Sequence, residues 1–176
     1  MEWMVKANEP GKTYLLQGNE AIVRGALEAG IRFAASYPGS PASEIMAMLG
    51  RVAGEMDIYA EWSTNENCAF QACMGASMGQ VRSLCVVKQN GLLTIGDALH
   101  TAALSGCKGG VVLLAADDPN AHSSTNEFDS RHQARAAGIP MLEPATFQEA
   151  KDMMVYAFEL SEKLQQVVMV RSVTRI

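Results

Sequence analysis

Residues Glu61–Gly79, EWSTNENCAFQACMGASMG, followed by Val81–Gly91, VRSLCVVKQNG, decide how this chain folds. Polar Ser63, Thr64 and Asn65 lead into an apolar, small-residue stretch that predicts a helix over about 66–79. Asn65 is its expected cap, and Glu66 falls in its first turn, where a carboxylate meets the positive end of the helix dipole. A β-rich run from Leu84 to Lys88 follows and ends in a polar turn, Gln89-Asn90-Gly91. A carboxylate at a helix start, facing a strand that ends in a polar glycine turn, suits the holding of a flat polar ring. Dipole stabilisation alone, a few tenths to about 1 kcal/mol, would also account for Glu66. Gly75 and Gly79 are read as packing residues that let the helix approach a neighbour closely.

Outward from this stretch the chain alternates. Towards the N-terminus, Ile58–Trp62 reads as a strand and about 42–53 as a helix. Before them come the rigid turn Pro38-Gly39-Ser40-Pro41, a strand over Ile31–Tyr37, and a helix capped by Asn19 and stopped by Gly30. Residues 1–13 are expected to be an extension packing through Trp3 and Met4, with residues 14–176 as one domain. Towards the C-terminus a helix over about 93–104 precedes Gly110–Ala116, GVVLLAA, the clearest buried strand. A long polar loop, Asp117–Asp129, is followed by a helix to Gly138, a strand over Pro140–Glu143, a helix capped by Thr146 and a last strand over Gln166–Ser172. Such alternation with short connections predicts an α/β fold: a doubly wound, six-stranded, mostly parallel sheet with helices on both faces. Ligands of such sheets bind beyond the carboxyl ends of the strands. Here those ends carry the turn at 38–41, the loop at 63–66, residues 89–92 and the loop at 117–129.

Composition narrows the function classes. With 176 residues, 48% hydrophobic and 19% charged, the chain can build a substantial core and is not a disordered segment. A net charge of −5 argues against nucleic acid, which calls for a basic face. No apolar run reaches the roughly 18 residues of a membrane span, and the first twelve residues are too polar for a signal peptide, so a cytoplasmic protein is expected. Cys68, Cys73, Cys85 and Cys107 show no C-x-x-C spacing and read as reduced, mostly buried thiols. No G-x-G-x-x-G follows a strand and no Walker A sequence is present, which weakens a dinucleotide or nucleotide role. His122, Ser123, Ser124 and Asp129 share a loop but lack a nucleophile elbow. The loop's length nevertheless favours a place at a site or interface.

The ordered segments GNEAIVRGALEAGI (18–31), YPGSPASEI (37–45), EWSTNENCAF (61–70), KGGVVLLAADDPNAHSSTNEFDSR (108–131) and IPMLEP (139–144) carry a resemblance. Together they resemble the N-terminal, pyrimidine-binding domain of indolepyruvate ferredoxin oxidoreductase α subunits, within the 2-oxoacid:ferredoxin oxidoreductase family of thiamin diphosphate enzymes. The resemblance implies that Glu66 is catalytic and bonds the ring nitrogen N1′ of the aminopyrimidine. The neighbouring amino group is thereby helped to take the proton from the thiazolium carbon. Cys68, Ala69 and Phe70 are expected to line an apolar pocket favouring the protonated carboxyl. Gln89, Asn90, Gly91 and Leu92 match the segment beside the cofactor rings, a stretch in which the family more often has His or Val. Gly39, Ser40 and Pro41 match the turn that meets the substrate carboxyl group, and His122, Ser123 and Ser124 match the loop that closes over the site.

The resemblance also implies what lies elsewhere. Mg²⁺, the diphosphate and iron–sulfur clusters are expected on a partner domain or subunit, so that this chain holds no metal and completes no reaction alone. Gly96-Asp97-Ala98 with Asn120 imitates the diphosphate motif only loosely, since Ala98 replaces a glycine needed for close backbone approach. The main expectation is half of an aryl pyruvate-type 2-oxoacid:ferredoxin oxidoreductase, with coenzyme A accepting the acyl group and an oligomeric assembly. Whether the chain is an excised domain or one subunit of a split enzyme stays open. A two-subunit non-oxidative 2-oxoacid decarboxylase and a non-catalytic assembly or regulatory relic are the alternatives.

Overall fold

The computed structural model describes residues 2–175. Among them six strands form one sheet: β1 (Phe33–Ser36), β2 (Tyr59–Trp62), β3 (Ser83–Lys88), β4 (Val111–Asp117), β5 (Met141–Leu142) and β6 (Val168–Val173). Their order is β2-β1-β3-β4-β6-β5, and every neighbouring pair is parallel. The helices are α1 (Glu2–Val5), α2 (Gly18–Glu28), α3 (Ser43–Met56), α4 (Glu66–Met78), α5 (Gln89–Thr94), α6 (Gly96–Ser105), α7 (Arg131–Ala137) and α8 (Phe147–Leu164).

The central strands are apolar throughout because both faces are covered. Leu84, Val86, Val112 and Leu114 join a core with α2, α3 and α8 residues such as Ile22, Ile45 and Phe158. The alternate residues Cys85, Val87, Leu113 and Ala115 join a second core with Phe70 of α4, Leu92 of α5 and Leu99 of α6. This period of two is the pleat of a strand read as burial. The chain leaves β1 in one direction along the sheet and β3 in the other, so the doubly wound fold has its crevice between the carboxyl ends of these two neighbours. Buried Ser36 fastens that point by donating its hydroxyl to Val86 O at 2.6 Å.

Three expectations are corrected locally. Asn19 does not cap α2: the N-cap is Gln17, whose N–H donates to Glu20 at 2.8 Å, while Asn19 donates to Glu44 at 2.8 Å and to Pro41 O at 3.3 Å. Gln89-Asn90-Gly91 is not a turn but the start of α5. The single helix foreseen over 93–104 is therefore two, broken at Ile95, whose side chain stays in the same core as Leu92 and Leu99. The sheet is wholly parallel among the described residues.

The N-terminal segment packs on α2. Val5 is fully buried, and Arg24 donates to Val5 O at 3.2 Å and to Ala7 O. Met4 is half-buried; the side chain of Trp3 lies outside the described residues. A cleft of about 500 Å³ separates residues 7–16 from α2 and the start of α8.

α2 and α8 touch closely at Gly25, where a Cβ would lie 2.3 Å from Lys151 O and 2.8 Å from Met154 Cβ. Gly25→Ala is expected to lower stability by about 1–3 kcal/mol, overpacking outweighing the gain in helix propensity. Exposed Gly50 of α3 has nothing within 4 Å of its would-be Cβ. Gly50→Ala should raise stability by roughly 0.5–1 kcal/mol. Urea unfolding of the two variants checks both signs.

Candidate functional site at the carboxyl ends of the strands

Asn65 delivers Glu66 to the start of α4. Its backbone is extended (φ −162°, ψ 172°) and its side chain accepts from Cys68 N at 2.9 Å, a cap contributing about 1 kcal/mol. Ser63 N donates to Ser36 O at 2.8 Å, which ties the approach to α4 to the end of β1. Glu66 is half-buried and makes no hydrogen bond or ion pair among the described residues. Its carboxylate lies against the backbone of Gly91: a Cβ there would be 2.6 Å from Glu66 Cγ and 2.7 Å from Oε1. The structure thus brings together Glu66 and the 89–92 segment. Residue 91 is glycine because the glutamate occupies the place of its side chain.

The apolar pocket expected from residues 68–70 is not formed by them. Ala69 and Phe70 point into the core beneath the sheet, and Cys68 is exposed. The next turn of α4 places Cys73 beside Cys85. A hydrogen bond between the two, together with burial, pushes the Cys85 thiol well up, as expected of inert core thiols.

Gln89 and Asn90 face the long loop. Gln89 Nε2 donates to Asn126 O at 3.1 Å and Asn90 Nδ2 to Asn126 Oδ1 at 2.7 Å. These bonds leave Gln89 Oε1 and Asn90 Oδ1 buried with no partner, an arrangement that costs stability unless a ligand donor completes it. Leu92 is wholly inside the second core, so it anchors α5 and offers no side chain to the open face.

Of the remaining residues singled out above, Ser124 reaches the turn after β1, donating its hydroxyl to Ser40 O at 3.1 Å. Ser40 is exposed, and its own hydroxyl is unbonded among the described residues. Gly39 O accepts from Ala42 N at 2.9 Å and Ser43 N at 3.0 Å, and Pro41 follows a cis peptide bond. His122 is exposed, and its imidazole makes no hydrogen bond among the described residues. Ser123 and Ser124 donate their backbone N–H groups to Asp118 Oδ2, each at 2.6 Å. Burial raises the Asp118 carboxyl, but these donors outweigh it and hold the group below the usual carboxylate range.

The loop is pinned at both ends by a buried network. Arg171 Nε of β6 donates to Asp117 Oδ2 at 2.7 Å, Ser130 N to the same oxygen at 3.0 Å, and Arg171 also pairs with Glu143. Asp129 takes a fork of bonds from Arg131 at 2.8–3.1 Å. Removing one partner of a buried pair such as Asp117–Arg171 costs about 3–5 kcal/mol, against 0–1 for surface pairs such as Lys6–Glu55. Reading the sequence did not find Asn126, the Asp118 anchor or this network. The signal available was an Asp-Asp pair at the end of an apolar strand.

Comparison with known proteins follows the same geometry. The family model described as "Pyruvate flavodoxin/ferredoxin oxidoreductase, thiamine diP-bdg" matches residues 24–172. Indolepyruvate oxidoreductase subunit IorA of Pyrococcus abyssi is 48% identical over 168 residues, covering 96% of this chain and 26% of that protein. The 2-oxoglutarate synthase subunit KorA of Methanothermobacter marburgensis is 32% identical over 168 residues, covering 90% of this chain and 44% of its own. Among solved structures, the 2-oxoglutarate:ferredoxin oxidoreductase of Magnetococcus marinus, with 2-oxoglutarate, coenzyme A and succinyl-CoA bound, superposes with a TM-score of 0.82 at 20% identity. That match covers 94% of this chain and 30% of the other, and it shows a shared fold. The chain spans about a quarter of the length of the indolepyruvate oxidoreductase subunits it matches.

The Arg131 fork holds the Asp129 carboxyl at about 2, against an ordinary value near 3.9. A depressed folded-state value adds stability that is fully present above about pH 4 and is lost as pH falls towards 2. The wild type is therefore expected to lose stability more steeply than Asp129→Asn between pH 4 and 2. Urea midpoints at stepped pH measure the difference, and parallel curves would contradict it.

Proposed function

This chain belongs to the pyruvate flavodoxin/ferredoxin oxidoreductase family of thiamine diphosphate-binding domains. On that premise we propose that it is the pyrimidine-binding half of a 2-oxoacid:ferredoxin oxidoreductase acting on an aryl pyruvate-like acid. The observation that carries the reading is Glu66, a carboxylate without a protein partner, held at a helix start against the bare backbone of Gly91.

The residues present fit an aminopyrimidine. Such a ring offers a nitrogen to a carboxyl group and N–H donors to acceptors. Glu66 supplies the first, and the orphaned Gln89 Oε1 and Asn90 Oδ1 supply acceptors beside it. Bound thiamin diphosphate supplies a nucleophilic carbon and an electron sink for decarboxylation. The chain's own residues hold the ring and manage a proton. Glu66 would hold the ring nitrogen through its carboxyl group, whose direction is fixed by Gly91. Gln89 and Asn90, braced by Asn126, orient the ring's polar edge. Ser40 offers its hydroxyl to the substrate carboxyl group. The loop carrying His122, Ser123 and Ser124 covers the turn at Ser40 and limits access of water.

The rest of the reaction falls to a partner domain or subunit, which would bring Mg²⁺, the diphosphate site and iron–sulfur clusters. Ferredoxin would take the electrons and coenzyme A the acyl group. Relatives named as oxidoreductase and synthase subunits favour this oxidative fate over a non-oxidative decarboxylase. Tyr37, Trp62 and Leu93 stand exposed at the carboxyl ends of β1 and β2 and on α5, an apolar rim suited to a partner in an oligomeric, cytoplasmic assembly. No helix among the described residues is long and apolar enough to cross a membrane.

In the assembled enzyme, Glu66→Gln is expected to lower turnover at least about 100-fold, the scale of a lost proton-transfer group, with an unchanged urea midpoint. Near-wild-type turnover would remove Glu66 from the mechanism. Gly91→Ala leaves the glutamate in place but inserts a methyl into its position. Turnover should fall in that variant too, whereas an unaffected rate would mean that the contact does not matter to catalysis.

A further inference from the structure

Lys88 is assigned no role by the resemblance or by any comparison, yet it occupies the most informative position in the sheet. It is the last residue of β3, next to β1, at the crevice where the winding reverses. It is half-buried, and its side chain has no hydrogen bond or ion pair among the described residues. Two other cations at this end of the sheet, Arg131 and Arg171, are taken up by Asp129, Asp117 and Glu143, while Arg175 lies beyond the end of β6, in a cleft with Ser172 and Val173 and away from the crevice between β1 and β3.

The lysine stem crosses the crevice. Its Cδ, Cγ and Cε lie 2.9, 3.0 and 3.4 Å from the place a Cβ of residue 39 would take. Gly39 has no positive φ, so its lack of a side chain answers to this packing and not to backbone conformation. A C–N bond adds roughly 1.5 Å, so the ammonium stays within about 5 Å of that point. It is thereby confined to the turn whose next residue, Ser40, carries an unbonded hydroxyl. Three residues beyond Lys88, Gly91 touches Glu66.

From this juxtaposition we propose that Lys88 is the cation that binds the carboxylate of the 2-oxoacid, with Ser40 as its hydrogen-bonding companion. The inference rests on the function proposed above and names the group that makes the site selective for acids. An anionic substrate entering the crevice beside Glu66 and Asp118 needs a counter-charge, and Lys88 is the unpaired cation that lies in the crevice between β1 and β3.

The test uses the assembled enzyme with Lys88→Met and Lys88→Arg. One arm is equilibrium binding of 3-phenylpropionate, which keeps the carboxylate but has no oxo group to react. Lys88→Met should weaken binding about 10- to 100-fold, the range for removing one charge-assisted hydrogen bond, and Lys88→Arg should recover most of it. The other arm is turnover. KM for phenylpyruvate should rise by a similar factor with kcat little changed, while phenylacetaldehyde, which has no carboxylate, should be used equally well by variant and wild type. Unchanged affinity for 3-phenylpropionate, or equal losses with acid and aldehyde, would overturn the assignment. A wild-type enzyme without thiamin-dependent turnover would instead refute the parent function, and the binding arm would still decide whether Lys88 holds a carboxylate.

Discussion

The contact between Glu66 and the backbone of Gly91 is the constraint on which the rest of this end of the molecule depends. It joins the start of α4 to the start of α5, two elements on the same face of the sheet that follow different strands. For the contact to exist, α4 must begin at Glu66, which the Asn65 cap ensures. β3 must also end one residue before Gln89, which the parallel register with β1 and β4 ensures. Ser36, bonded to Val86 O and accepting from Ser63 N through its own carbonyl, holds both requirements to one frame. A shift of one residue in any of these strands would turn its side chains to the opposite face and break the contact.

The polar loop over 118–130 owes its order to the sheet it overlies. A loop of this length loses much conformational freedom when fixed, so it needs anchors that outweigh that loss. The buried Asp117–Arg171 pair supplies one, and the two backbone donors on Asp118 supply a second. The bonds from Ser124 to Ser40 O and from Gln89 and Asn90 to Asn126 are weaker, neutral contacts made at the crevice itself. The loop is thus held by charge-assisted bonds at its ends and at Ser123 and Ser124, and by neutral ones where Asn126 and the Ser124 hydroxyl meet the crevice.

Much of this was legible in the chain. Six alternations of strand and helix specify the doubly wound sheet. The Asn65 and Thr146 caps and Gly138, which ends α7 in the left-handed region, are found where local rules place them. These features involve neighbours in sequence, so periodicity and capping preferences report them. The glycine of Gln89-Asn90-Gly91 reads as a turn by the same rules. It is helical because Leu92 is drawn into the core and the two amides are fixed from outside by Asn126. Asp117 and Arg171 meet 54 residues apart, and Lys88 meets Gly39 across two strands. No local pattern marks such pairs, and the glycine at 39 gains its meaning only when the lysine lying over it is seen.

The distribution of unsatisfied groups points in one direction. Around the crevice Glu61 accepts from Tyr59 and Ser63, Asp117 from Arg171, Glu127 from Asn120 N, Asp129 from Arg131, and Asp118 from two backbone N–H groups. Glu66 alone among these carboxylates has no donor, and Lys88 has no acceptor. Pairing the two would add up to about 1 kcal/mol of stability, the range for surface ion pairs. Here the scaffold separates them. It holds Glu66 against one backbone segment and lays Lys88 along another, with buried amide oxygens left open beside them. On the function proposed above, this separation at the switch point of a doubly wound sheet leaves a carboxyl group for the cofactor ring and an ammonium for the substrate anion.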